Sequence, residues 1–115
     1  MLERRKSERV NLSTIVEYEK IDNGKAPGKF GAKNISVGGI CLIVDESIKT
    51  GDKLSLKVKL TEKKTIHVKG KVIRIEGRED KKYEASIEFF EISDQGIEDI
   101  KNYVFLSYLK DKNSQ

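Results

Sequence analysis

The sequence predicts a mainly β fold, a small antiparallel barrel or sandwich of five or six strands followed by one C-terminal helix. Short segments in which apolar and polar residues alternate recur along residues 12–91, and turn-forming residues separate several of them. After Ser93 the apolar residues instead recur every three or four positions, which is typical of a helix. A chain of 115 residues has room for one such core and not for two.

The predicted strands cover residues 12–19, 28–35, 39–44, 53–60, 66–76 and 83–91. The fourth shows the alternation most clearly, because Leu54 and Leu56 fall on one face while Lys57 and Lys59 fall on the other. A strand of this kind has one buried and one solvated face. We therefore expect most lysines of this region to lie on the outside of the sheet.

The fifth predicted strand contains a change of parity. Its apolar residues move from Val68 and Val72 to Ile73 and Ile75, and Gly70 lies close by. An extra residue in one strand of a pair produces such a change and bends the sheet. We expect a bulge here that helps a short sheet to curl toward closure.

A C-terminal amphipathic helix is predicted to begin at Ser93 or Asp94, since either side chain is a favourable N-cap. Its apolar stripe consists of Ile97, Ile100, Val104 and Tyr108. Four further apolar side chains widen this surface: Tyr103, Phe105, Leu106 and Leu109. We expect one side of the helix to cover the barrel and another to meet a partner protein.

The chain divides into three predicted parts. Residues 1–11 form a mobile arm, because they cluster positive charge and hold little apolar surface. Residues 12–110 form the barrel with its helix, and residues 111–115 form a disordered tail.

Composition argues against several classes of function. His67 and Cys41 are the only histidine and cysteine, so neither a zinc site nor an internal disulfide can form from them. The chain has no phosphate-binding glycine loop and no nucleophile elbow, so we expect no enzyme, no metal and no cofactor. No secretion signal or membrane-spanning run is present, and we expect a cytoplasmic protein without a membrane partner.

The charge is unevenly distributed. The net charge of the chain is +4, yet residues 53–82 contain 11 basic and 4 acidic side chains. A small basic barrel that binds RNA or single-stranded DNA is therefore an alternative. Such barrels usually stack bases on aromatic side chains, and residues 40–82 contain no aromatic residue. We therefore expect no nucleic-acid polymer as partner.

Arginine is used selectively. The chain has 18 lysines and five arginines, and three of the five are Arg4, Arg5 and Arg9. They form an Arg-x-x-x-Arg pattern, and Asn34-x-Ser36-x-x-Gly39 follows it some 25 residues later. Each pattern alone is weak, whereas the two in this order are specific.

With these motifs the sequence resembles a PilZ domain, a bacterial receptor module for the second messenger cyclic di-GMP. The resemblance runs over residues 4–109 and includes Tyr83-x-x-x-Ile87-x-Phe89 before the closing helix. It implies a six-stranded antiparallel PilZ-type barrel and a role in motility or biofilm regulation. It also implies that cyclic di-GMP is bound by Arg4, Arg5, Arg9, Asn34, Ser36, Gly38 and Gly39. Ser86 departs from the family, which frequently has glycine there.

The residue types suit this ligand. Guanidinium forks pair with phosphate oxygens and with the O6/N7 edge of guanine. Asn34 and Ser36 fall on the same side of a strand end, and Gly38 with Gly39 permits a tight turn. The alternative for this second motif is a plain strand-to-strand turn that a serine or asparagine hydrogen bond stabilises.

The resemblance also suggests a mechanism. We expect the arm to be mobile without ligand and to become ordered across the barrel when phosphates neutralise its charge. Because nothing precedes the arm or follows the helix except short tails, the output is expected to pass in trans to an unidentified effector protein. A ligand-free PilZ-like interaction module is a further alternative, and the sequence leaves the oligomeric state open.

Overall fold

The computed structural model describes residues 9–21 and 28–113, with side chains up to Lys110. It contains seven strands and one helix in these ranges. The elements are β1 (Val10–Asn11), β2 (Ile15–Lys20), β3 (Gly28–Ile35), β4 (Gly39–Val44), β5 (Lys53–Thr61), β6 (Lys64–Gly77), β7 (Tyr83–Glu91) and α1 (Asp94–Asn113). The bounds of β3, β4 and β7 agree with those predicted from the sequence.

The sheet closes into a barrel. Its strands follow the order β3-β2-β5-β6-β7-β4, and β4 pairs again with β3, so that six antiparallel strands form a ring. Strand β1 is an additional short strand that pairs with β3 beside β2. The predicted six-stranded antiparallel barrel with a C-terminal helix is thus confirmed.

The first predicted strand, residues 12–19, is divided in two. Val10 pairs with Ile35 whereas Ile15 pairs with Gly31, so the β1–β2 side contains one residue more than β3 over the same stretch. This is the pattern of a bulge, which an unpaired extra residue produces. The sheet therefore begins at Val10, two residues before the expected start of the barrel, because Val10 packs against the core and pairs with β3.

The core is aliphatic. Eleven side chains on the inner face and on the helix are almost completely buried: Val16, Ile35, Ile40, Leu42, Val44, Leu54, Leu56, Val58, Val72, Ile87 and Ile100. Each such burial contributes about 1.5 to 3 kcal/mol relative to exposure. The alternation seen in the sequence of β5 matches its burial, since Leu54 and Leu56 are buried while Lys57 and Lys59 are exposed.

Strand β6 bends where the parity changes. Its pairing with β7 shifts register between Lys69 and Gly70 and again between Val72 and Arg74. The expected bulge is thus present. It leaves Ile73 exposed, while Ile75 returns to the core side.

Helix α1 is capped by Ser93, whose hydroxyl oxygen accepts a hydrogen bond from the Gly96 amide at 3.0 Å. Ile100 is fully buried, but Tyr108, which was predicted in the same stripe, is 53% exposed. Helical periodicity predicts which side chains share one face of the helix. It does not predict how many turns of that face the barrel covers. The helix also continues to Asn113, past the expected end at Lys110, since no glycine or proline interrupts it.

In the described part of the chain, no helix is both long and apolar enough to cross a bilayer.

Candidate functional site

The turn between β3 and β4 forms one end of the site. Ser36 and Gly39 exchange backbone hydrogen bonds, with 2.8 Å from the Ser36 amide to the Gly39 carbonyl oxygen. The hydroxyl oxygen of Ser36 accepts a hydrogen bond from the Gly38 amide at 3.2 Å, and the side chain is buried. The structure thus shows the serine hydrogen bond that the sequence suggested as the alternative to a ligand contact.

The two glycines of this turn are tied to β7. The amide of Phe89 donates a hydrogen bond to the carbonyl oxygen of Gly38 at 2.9 Å. A Cβ atom on Gly39 would collide with the carbonyl oxygen of Ile87. Glycine at position 39 is therefore required by the close approach of the neighbouring strand.

The two sequence motifs meet beside this turn. Arg9, which immediately precedes β1, donates a hydrogen bond from Nη1 to the side-chain oxygen of Asn34 at 2.7 Å. Strand β1 places it there, because Asn11 pairs with Asn34 and Val10 with Ile35. The end of the arm and the Asn34 motif thus belong to one site, although 25 positions separate the two residues.

A row of side chains, which we call the floor, extends from Asn34 across the outer face of the barrel. Asn34 pairs with Cys41 on β4, and Cys41 pairs with Ser86 on β7. These side chains face outward, since their sequence neighbours Ile35 and Ile40 are buried in the core. The floor therefore consists of the small side chains of Cys41 and Ser86 with the polar Asn34 at one edge.

Cys41 is more enclosed than its neighbours on the floor. Its residue is 8% exposed, and burial raises the pKa of its thiol, with the Glu84 carboxylate acting in the same direction. The thiol is therefore neutral at physiological pH. The run around Cys41 is apolar throughout, so only its pairing with Asn34 and Ser86 shows that this buried side chain lies in their row.

Charged residues border the floor on β3 and β7. Lys33 Nζ lies 2.9 and 3.0 Å from the two carboxylate oxygens of Glu84, and Arg78 Nη1 lies 3.1 Å from one of them. The hydrogen bond from Lys33, supported by Arg78, lowers the pKa of Glu84. This border thus has fixed charges of both signs.

Five of the seven predicted binding residues are described, and they lie together: Arg9, Asn34, Ser36, Gly38 and Gly39. Arg4 and Arg5 lie outside the described residues. Within the described ranges, no group of three or more histidine, cysteine or acidic side chains is arranged to hold a metal ion.

The lysine-rich outer face of β5 lies elsewhere on the barrel. His67 on β6 is exposed and pairs with Lys57 on β5. Lys53, Lys57 and Lys59 are likewise exposed. These lysines face solvent from the outer surface of β5, whereas the Arg9 site lies on β1, β3, β4 and β7.

Solved structures of known proteins share this fold. The Bacillus subtilis inhibitor of motility (MotI/DgrA) superposes with a TM-score of 0.81 at 22% identity, over 95% of this chain and 53% of that one. The PilZ domain of YcgR from Escherichia coli, solved with cyclic di-GMP, gives 0.76 at 14% identity, over 97% of each chain. A K. pneumonia MrkH–cyclic di-GMP complex gives 0.77 at 20%, over 99% of this chain and 57% of that one.

The chain thus spans about half the length of the MotI and MrkH chains. No curated protein matches the sequence significantly. A family model described as the PilZ domain matches residues 3–106, which include both motifs and the whole barrel. On this match and the shared fold, the chain belongs to the PilZ domain family.

Proposed function

We propose that this protein is a receptor that binds cyclic di-GMP on the outer face of β3, β4 and β7. The observation that carries the proposal is the hydrogen bond between Arg9 and Asn34, because it joins the two motifs at one place. The structures of YcgR and MrkH with cyclic di-GMP support it, since both share the fold of this chain.

The ligand chemistry suits the two parts of the site. Arg9 is exposed at the edge of the floor, where its guanidinium can pair with phosphate oxygens. The small side chains of Cys41 and Ser86 leave room for a flat guanine ring on the floor beside Asn34. The carboxamide of Asn34 can both donate to and accept from a base edge.

The remaining motif residues have different roles in this proposal. Ser36 and Gly38 hold the turn through the hydroxyl, and Gly39 allows β7 to approach. Arg4 and Arg5 supply further guanidinium groups from the arm, which closes over the ligand once its phosphates neutralise the arm's charge.

We further propose that the ligand-bound form signals to a separate effector protein. The similarity to MotI, an inhibitor of motility, supports a role in motility control. Phe105, Leu106 and Leu109 on the second half of α1 are exposed, and they are the apolar surface we assign to effector contact.

Isothermal titration with cyclic di-GMP tests the receptor function. We expect saturable binding that survives physiological salt, with a stoichiometry that shows whether one ligand or a ligand pair binds. Lys57→Ala removes one positive charge from the remote strand face and is expected to bind as the wild type does. An oligonucleotide titration in the same buffer is expected to show no binding, because contacts made by lysine alone weaken steeply with salt. Absence of cyclic di-GMP binding at high micromolar ligand would overturn the proposal.

A further inference from the structure

We infer that Arg74 is an additional ligand-binding residue, whose guanidinium reads the guanine at the far end of the floor. The inference rests on the proposed function. Arg74 pairs with Ser86, which pairs with Cys41, which pairs with Asn34. One row of outward side chains thus runs from the Arg9–Asn34 contact to a second arginine.

Arg74 faces the same side as the floor because of the β6 bulge. Val72 is buried and Ile75 packs against the core, so Arg74 points outward next to Ser86. Its side chain is 66% exposed. The register shift between Val72 and Arg74 is what brings the arginine opposite Ser86.

The charge around Arg74 favours a base over a phosphate. Its Nε lies 3.5 Å from a carboxylate oxygen of Glu76, and Glu76 pairs across the strands with Glu84. Glu84 is already paired with Lys33 and Arg78. The Glu76 carboxylate beside Arg74 is therefore what disfavours the negative phosphates here, and the arginines of the arm attract them instead. The O6/N7 edge of guanine is uncharged and presents two acceptors that match a guanidinium fork.

The span of the row fits a ligand with two bases. Asn34 and Arg74 are separated by three strand-to-strand steps, or about 14 Å at most with the ordinary spacing of about 4.8 Å. Only the small side chains of Cys41 and Ser86 lie between them in this row. A guanine above these residues would direct its edge toward Arg74.

The use of arginine at this position also has a chemical reason. The chain defaults to lysine, with 18 lysines against five arginines. Lysine offers a point charge, whereas only arginine offers the planar fork. Of the two arginines beyond the arm, Arg78 is engaged with Asp80 and Glu84, which leaves Arg74 as the one whose Nη groups have no described protein partner.

Calorimetric titration of Arg74→Lys and Arg74→Ala with cyclic di-GMP tests the inference, with Lys57→Ala as the charge-matched control. We expect both Arg74 variants to lose about tenfold in affinity, because the lysine keeps the charge but loses the fork. Lys57→Ala should retain wild-type affinity. Thermal melting should give the same midpoint for Arg74→Lys and the wild type, since the side chain lies outside the core.

The outcomes distinguish the guanine contact of Arg74 from the receptor function as a whole. If the wild type binds and Arg74→Lys binds equally well, the guanine contact is wrong while the receptor function stands. A loss confined to Arg74→Ala indicates a charge effect and also overturns the fork contact. If the wild type itself fails to bind, the receptor function falls and this inference falls with it.

Discussion

The guanidinium of Arg9 and the carboxamide of Asn34 are joined by a 2.7 Å hydrogen bond across 25 positions of sequence. Neither residue belongs to the core, since Arg9 is exposed and Asn34 is half-buried on the outer face. A contact of this kind adds little to stability, because an exposed side-chain hydrogen bond largely replaces one to water. Its consequence is to position the end of the arm beside the floor.

Because the two residues share one contact, their substitutions should not be independent in ligand binding. Arg9→Ala is expected to weaken cyclic di-GMP binding by about 1 to 3 kcal/mol, the range of a paired arginine contact. Asn34→Ala should cost less, and the double variant should lose less than the sum of the two. Titration calorimetry of the four proteins measures this coupling. Strictly additive losses would show that the two side chains act separately on the ligand.

Ser36→Ala is expected to affect folding as well as binding. The variant removes the hydroxyl that accepts the Gly38 amide hydrogen bond within the turn, which is worth about 0.5 to 1.5 kcal/mol. We therefore expect a lower melting temperature together with weaker cyclic di-GMP binding, whereas Arg9→Ala lowers affinity alone. Ser13→Ala, at an exposed position before β2, is the control for loss of a hydroxyl. Weaker binding of Ser36→Ala with unchanged melting would instead indicate a direct ligand contact.

Gly39→Ala should destabilise the barrel at the site. The added methyl group would overlap the Ile87 carbonyl oxygen, and overpacking of this kind costs about 1 to 3 kcal/mol. Denaturant unfolding measures the loss. Gly31→Ala is the matched control, because no atom lies within 4 Å of its Cβ position and β3 should accept alanine. Equal stability of the two variants would contradict the steric account.

Local patterns predicted the elements well. The bounds of β7 followed from alternation and from the turn residues before it, and those of β4 followed from its short apolar run. The interruption between β1 and β2 was not predictable, because an extra residue is detected only against the partner strand. The exposure of Tyr108 likewise depends on how far the barrel extends along the helix, which periodicity does not contain.

The candidate site, like the fold, was predictable only in part from the sequence. Sequence motifs identified Arg9 and Asn34, since both are polar residues at a recognisable spacing. Cys41 and Ser86 join the site only through the lateral register of β3, β4 and β7. Ser36 was predicted as a binding residue, and its hydroxyl turned out to be buried in the turn. Residue type thus indicated the location, while the role of each residue depended on pairing and burial.

The Glu84 carboxylate predicts a pH dependence of stability. The hydrogen bond from Lys33, supported by Arg78, lowers the pKa of Glu84 below its ordinary value of 4.5. A carboxylate with a lowered folded-state pKa contributes its full stabilisation above the ordinary value and loses it as the pH falls through the lower one. We therefore expect Glu84→Gln to melt below the wild type at neutral pH, and this difference should shrink as the pH falls below 4.5.

Thermal melts of both proteins over this pH range measure the effect. Glu88→Gln is the control on the same strand, because Glu88 is exposed and forms no ion pair with another described residue. Its melting temperature should differ little from that of the wild type at any pH. A constant difference between Glu84→Gln and the wild type from neutral to acidic pH would mean that the charge of Glu84 is not what stabilises this corner. In that case the loss would come from the second carboxylate oxygen, which accepts a hydrogen bond from Lys33 and which glutamine replaces with an amide group that cannot accept one.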